Sequence, residues 1–229
     1  MTIGGLMKLT LLDFPGKVAC TVFTAGCNFR CPFCHNASLV KAECDIISEE
    51  EFFAFLRKRH GILDGVCVSG GEPTLHGDLI DFIAKIKEIG YSVKLDTNGS
   101  DPDKLKKLVS EGLVDYVAMD IKNSPSSYVK TCGGVDLLEK VMESIEFLRS
   151  ADIKYEFRTT VAHGLHTDSD FHEIGLLIHD APKYYLQTFK DSGDILAEGM
   201  SAASDGDMKR YLNIVKRYVP NAKLRGSDV

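Results

Sequence analysis

The chain has 229 residues, 44% of them hydrophobic and 26% charged, and a formal net charge of −6. This is the make-up of an ordinary globule of a size that one α/β domain fills, and it lacks the basic footprint of a nucleic-acid binder, so DNA and RNA are not expected partners. No apolar run is long enough to span a bilayer, and Met1-Thr2-Ile3-Gly4-Gly5 lacks the basic and apolar regions of a secretory signal, so no membrane partner is expected and the cytoplasm is the expected compartment.

Short β-branched runs alternate with stretches of helical period, the pattern of a parallel sheet with crossover helices. Val18–Phe23 reads as the first strand. Ser48, three residues before Glu51, opens a helix that runs to about Arg59. Gly65–Ser69 is the second strand, and Leu79, Ile83, Ile86 and Ile89 stripe the helix after it. Tyr91–Asp96 is the third strand. Asp101-Pro102 supplies a cap and a first-turn proline to the next helix. Tyr116–Asp120 is the fourth strand, followed by a stripe at Leu138, Val141, Ile145 and Leu148. Lys154–Val161 is the fifth strand, and Phe171–Ile178 reads as helix. Tyr184–Phe189 is the sixth strand, and Met208, Tyr211, Val215 and Tyr218 mark a last helix. Six βα units in one series predict a partial (β/α)6 TIM-like barrel, with an open doubly wound sheet as the alternative. We expect one domain over residues 1–229, with a barrel core at 18–190 and a helical extension at 191–229. Both folds carry their chemistry at the carboxyl ends of the strands.

After the first strand comes Gly26-Cys27-Asn28-Phe29-Arg30-Cys31-Pro32-Phe33-Cys34-His35-Asn36. The spacing C-x3-C-x2-C lets thiolates gather around one metal centre, and thiolates suit zinc or iron–sulfur clusters. Structural zinc is closed by four ligands, which His35 or Cys44 would have to complete here. Three thiolates on a four-iron cluster would instead leave one iron open. The cysteine count of seven is odd, so the cysteines cannot all pair within the chain. Cys20 and Cys67 fall in apolar strands and read as core residues. Cys44 and Cys132 read as loop residues.

The cysteine motif, with Phe33 just before its last member, resembles that of radical S-adenosylmethionine (SAM) enzymes. The resemblance implies that Cys27, Cys31 and Cys34 bind one 4Fe–4S cluster. SAM would chelate the open iron, and reductive cleavage would yield a 5′-deoxyadenosyl radical. Further segments match. Gly70-Gly71-Glu72-Pro73 looks like the GGEP element, whose backbone and glutamate hold the SAM amino group. Asp96-Thr97-Asn98-Gly99 and Asp120-Ile121-Lys122 resemble the DTNG and D-x-K elements of glycyl-radical-enzyme activases. There the lysine contacts SAM, and the equivalents of Asp96, Thr97 and Asp120, with the carbonyl at Ala118, help bind a monovalent cation beside the SAM carboxylate. Arg158 and Gln187 lie in strands that reach SAM in similar enzymes.

Leu9-Thr10-Leu11-Leu12-Asp13-Phe14-Pro15-Gly16-Lys17, together with Phe23–Cys31 and Cys34-His35-Asn36, resembles the activating proteins of anaerobic ribonucleoside-triphosphate reductase. The implied partner is that glycyl radical enzyme, and the implied electron donor a reduced flavodoxin or ferredoxin-type protein. Another glycyl radical enzyme, such as pyruvate formate-lyase, or a small-molecule radical SAM reaction is the alternative. No cysteine follows Cys132, so auxiliary clusters at the C-terminal end are not expected.

Overall fold

The computed structural model describes residues 1–226. One sheet of eight strands runs through the molecule: β1 (Ile3–Thr10), β2 (Ala19–Thr24), β3 (Gly65–Gly70), β4 (Ser92–Thr97), β5 (Tyr116–Asp120), β6 (Lys154–Val161), β7 (Tyr184–Thr188) and β8 (Lys223–Arg225). Spatial order equals sequence order. β1 is antiparallel to β2, and every later pair is parallel. Because the order never reverses, the doubly wound alternative with its switch point is set aside. The result is an α/β fold whose strands wind in one direction, as in a partial barrel.

The helices are α1 (Ala37–Lys41), α2 (Glu49–Arg59), α3 (Leu79–Glu88), α4 (Pro102–Ser110), α5 (Tyr128–Thr131), α6 (Leu138–Ser150), α7 (Asp168–Leu177) and α8 (Asp205–Val215). Local chemistry sets several of their starts. Ser48 accepts from the Glu51 amide at 3.1 Å. Asp101 accepts from the Lys104 amide at 3.0 Å, with Pro102 in the first turn. The reading placed the start of α7 three residues late. Thr167 and Asp170 form a reciprocal capping box there, satisfying two otherwise orphaned amides. The apolar stripe of α3 buries Leu79, Phe82, Ile83 and Ile86, and Phe82 stacks on Phe52 of α2 with ring centroids 5.3 Å apart.

Strands β1 and β8 were not anticipated, and neither were the short helices α1 and α5. The segment expected as a helical extension holds α8 but also β8, which lengthens the sheet; its residues 227–229 lie outside the described part. At the amino ends of the strands, Phe14 is buried against Tyr116 (ring centroids 6.3 Å apart), and Asp13 accepts from the Thr21 hydroxyl at 2.5 Å. Asp13 and Phe14 of the Leu9–Lys17 segment therefore plug the end of the barrel opposite the carboxyl-end loops, while Leu9, Leu11 and Leu12 are exposed.

Replacing Thr167 by Ala is expected to remove the cap of α7 at a cost of about 1 kcal/mol. A thermal melt should read this as a midpoint lower by about 2–4 °C. An unchanged midpoint would show the cap to be dispensable.

Candidate active site

The cysteine loop leaves β2 and is fastened by distant segments. The Arg30 amide donates to the Cys132 carbonyl at 3.1 Å, and the Cys34 amide to the Cys31 carbonyl at 3.0 Å. The C-terminal part of the chain clamps the loop from outside. The Leu196 amide donates to the Cys34 carbonyl and the Ala197 amide to the Pro32 carbonyl, both at 3.1 Å. Asp194 accepts from the Ser38 amide and hydroxyl, and Ser192 donates to the His35 carbonyl at 2.9 Å. These contacts hold Cys27, Cys31 and Cys34 on one wall of a single cavity, with Phe29 and Phe33 behind them.

Cys132 stands in the turn after α5, as a loop residue should, but it is not exposed. It is fully buried at the end of α5, with its thiol beside that of Cys31. That contact, opposed by burial and aided by the Lys122 ammonium, lowers the Cys31 pKa. Burial pushes Cys27 up to about 11 and raises Cys34, while Lys122 pulls both down. Lys122 is thus the cation that favours thiolate at all three positions. Cys20 and Cys67 are buried in the strands, as core residues.

The adjoining wall is built from the ends of β3 and β4. Gly70 has φ +121°, and a Cβ on Gly71 would press on the Gly26 carbonyl oxygen, so only glycine lets this turn lie against the start of the cysteine loop. The task the structure gives these glycines is the packing of one site loop on another. Glu72 is buried, and both its oxygens are engaged. Oε1 accepts from the Thr74 amide at 3.0 Å, the Thr74 hydroxyl at 2.6 Å and the Thr97 hydroxyl at 2.7 Å; Oε2 accepts from the Asn98 amide at 2.6 Å. Burial raises its pKa against the pull of these donors. Glu72 therefore ties the GGEP turn to the TNG turn. Asn98 extends the tie by donating from its side chain to Asn28 Oδ1 at 2.9 Å, and the Asn28 side chain donates to the Ser100 hydroxyl at 2.8 Å.

The floor is a layer of charge. Period two puts Lys94 and Asp96 on one face of β4, and register places Asp120 of β5 opposite Arg158 of β6. Arg158 Nε donates to Asp120 Oδ1 at 2.9 Å, and its Nη1 to Asp96 Oδ2 at 3.1 Å. Lys122 Nζ donates to Asp120 Oδ2 at 2.9 Å, Ser69 donates to Asp96 Oδ2 at 3.2 Å, and Lys94 Nζ pairs with Asp96 Oδ1. Burial works against ionisation of both aspartates, but Arg158 first, then Lys122 at Asp120 and Lys94 at Asp96, hold both below the usual carboxylate range. One layer deeper, Glu156 accepts from Tyr116 at 2.8 Å and from Arg225 at 2.7 and 3.2 Å.

The cavity thus brings together Cys27, Cys31, Cys34, Phe33, Gly70, Gly71, Glu72, Asp96, Thr97, Asn98, Asp120, Lys122 and Arg158. Gln187 is not among its walls. It lines a neighbouring recess with Lys190 and Arg225, which meets the cavity at His35 and Thr160. Sequence reasoning missed Asn28, Lys94, Cys132 and Asp194. Only Lys94 carried a local signal, its position two residues before Asp96 on a strand.

Among the described residues, no three Cys, His, Asp or Glu side chains close on one ion position. A four-iron cluster asks for something else: each thiolate meets a different iron, so the thiols must face one cavity without converging on a point. The three thiols facing this cavity, with Lys122 favouring their ionised form, fit such a cluster. A monovalent cation between Asp96 and Asp120 fits poorly. All four carboxylate oxygens are matched by protein donors, and Thr97 Oγ1 is committed to Glu72 and to the Gly99 amide.

Residues 21–178 match the family model of the radical SAM superfamily. The chain belongs to that superfamily, whose members use a 4Fe–4S cluster and SAM. It is 30% identical over 233 residues to a protein of Methanocaldococcus jannaschii named as a glycyl-radical enzyme activating enzyme, covering 97% of this chain and 95% of that one. Among solved structures, a domain of pyruvate-formate lyase-activating enzyme from Bacteroides vulgatus superposes with TM-score 0.56 at 19% identity, covering 71% of this chain and 99% of that one. The structure of anSMEcpe with bound AdoMet superposes with TM-score 0.61 at 19% identity, covering 88% and 62%. These two share the fold. No helix among the described residues is long and apolar enough to cross a membrane.

Gly71→Ala is expected to push the turn off Gly26 and lower the iron taken up in anaerobic reconstitution, with the circular-dichroism spectrum unchanged. Normal iron content would show that the contact does not set the loop. Asp120→Asn should destabilise the protein at neutral pH by about 2 kcal/mol, since Arg158 and Lys122 lose a charged acceptor. Because the folded-state pKa is depressed, this contribution is present above the unfolded carboxylate pKa and is lost as pH falls below about 4. Denaturation of both proteins across that range should therefore show the difference shrinking in acid; a constant difference would contradict the charge network.

Proposed function

We propose that the chain is a glycyl-radical-enzyme activating enzyme and that its partner is anaerobic ribonucleoside-triphosphate reductase. The observation that carries the reading is the pairing, in one cavity at the carboxyl ends of the strands, of a three-thiol wall with a charged floor. The near full-length likeness to the Methanocaldococcus jannaschii protein supports the activase class. The likeness of Leu9–Lys17 and of the cysteine loop to reductase activators supports the partner. Because Leu9–Lys17 lies at the amino end of the barrel, it marks kinship and not a contact at the site. In this reading the enzyme works in the cytoplasm and takes its electron from a reduced flavodoxin or ferredoxin-type donor.

When bound, a reduced cluster would supply the electron for cleaving SAM, and the 5′-deoxyadenosyl fragment released with methionine would take a hydrogen atom from a backbone glycine of the partner. The rest is positioning by the chain. Cys27, Cys31 and Cys34 would hold the cluster through three thiolates. Lys122 and Arg158 face the cavity with positive charge and orient the SAM carboxylate. Asp96 and Asp120 fix those two cations in place. Glu72, through Thr97 and Asn98, keeps the two turns beside SAM at a set distance. Phe29 and Phe33 exclude water behind the cysteines.

Anaerobically reconstituted protein is expected to be brown and, on reduction, to release methionine and 5′-deoxyadenosine. Mixed with the reductase it should give the electron spin resonance doublet of a glycyl radical. Cys27→Ala, Cys31→Ala and Cys34→Ala should each abolish SAM cleavage, and turnover in any of them would reject the reading. A doublet on pyruvate formate-lyase but not on the reductase would move the partner assignment and leave the chemistry standing.

A further inference from the structure

We propose that Lys94 is a resident counter-ion of the SAM site: a buried positioning residue whose ammonium does the work of an added monovalent cation beside Asp96, so that SAM binding needs neither sodium nor potassium. This rests on SAM occupying the cavity described above, and it concerns how that site is balanced.

The inventory of charge leads to it. Two carboxylates, Asp96 and Asp120, stand at the floor, and three protein cations, Lys94, Lys122 and Arg158, contact them. The layer therefore carries one net positive charge, which matches the single carboxylate of SAM. The three cations are not equivalent in position. Lys122 and Arg158 line the cavity, whereas Lys94 does not. Lys94 is 2% exposed, and its ammonium lies on the core side of Asp96, 3.7 Å from Cys67 Sγ. It lines no part of the cavity, and among the described residues the carboxylate it pairs with is that of Asp96.

An unbalanced ammonium in the core is costly, so a buried lysine persists where a carboxylate faces it. In return, Lys94 satisfies Asp96 from below. Arg158 then bridges both aspartates with only part of its donor fork committed to each, and Lys122 is left to Asp120 and the ligand. Without Lys94 the layer would be neutral, Asp96 Oδ1 would be bare, and a carboxylate ligand would face Asp96 with only the two cations already shared between the aspartates to offset the repulsion. Asp96 Oδ1 is then where an external cation would be needed. The expectation of a bound monovalent ion and the observed geometry disagree because the strand already supplies the charge, two residues before the aspartate it serves.

The test is SAM binding to the cluster-loaded protein by calorimetry in choline, sodium and potassium chloride at equal ionic strength. The wild type should bind with the same affinity, within about twofold, in all three. Lys94→Met should bind about tenfold or more weakly in choline and recover in sodium or potassium, a dependence on salt identity that a packing defect would not produce. Lys94→Arg should retain both affinity and salt independence. The proposal is overturned if wild-type affinity collapses in choline, if Lys94→Met matches the wild type in choline, if it is equally weak in all three salts, or if Lys94→Arg is as salt-dependent as Lys94→Met. Should Lys94→Met fail to fold, the wild-type comparison decides alone. Absence of SAM binding by the wild type in every salt would instead reject the SAM site itself.

Discussion

The bridge that Arg158 makes between Asp96 and Asp120 is the interaction on which the site depends. It links β4, β5 and β6 at the level where their carboxyl ends open into the cavity. Such a pairing of partly buried charges is poor as a source of net stability, because desolvation takes back most of the Coulomb gain. Its value is geometric. A guanidinium held between two carboxylates on neighbouring strands has one orientation, and the cationic groups that face the ligand inherit it. The same bridge accounts for the depressed pKa values of both aspartates and hence for a floor that stays charged through the neutral range.

Around that layer the two ends of the barrel divide the labour. The amino end is closed by Phe14 on Tyr116 and by Asp13 on Thr21. The carboxyl end is left to loops, and the loops are tied to one another. Glu72 joins two turns, Asn98 and Asn28 join the second turn to the cysteine loop, and Asp194 and Ser192 fasten that loop from the far end of the chain. A cysteine loop with few residues of its own thereby gains rigidity from contacts distant in sequence.

Much of this was legible in the sequence. β-branched runs placed the parallel strands almost to the residue: Val18–Phe23 was read where β2 runs from Ala19 to Thr24, and Lys154–Val161 coincides with β6. Site residues followed from a simple rule, that chemistry sits just after each strand. What escaped had physical reasons. β1 contains Gly4 and Gly5 and no clean alternation, and it forms because β2 offers it an edge. β8 has three residues, too few for any period. Cys132 read as a loop residue because the glycines after it are a turn signal, yet tertiary packing buries it against Cys31. Gln187 sits on the expected strand but lines the adjacent recess, beside Arg225, its partner in register on the unanticipated β8. Asn28 and Asp194 act only across the fold, where no local pattern reports them.

The central claim is that three cysteines leave one iron open and that SAM closes it, with no fourth protein ligand. His35 at the cavity rim is the side chain best placed to contradict it. The direct measurement is electron–nuclear double resonance on the reduced protein with SAM isotopically labelled at its amino nitrogen and carboxylate oxygen. The account predicts hyperfine coupling of both labels to the cluster. Absence of both couplings, with a protein nitrogen coupled in their place, would contradict it.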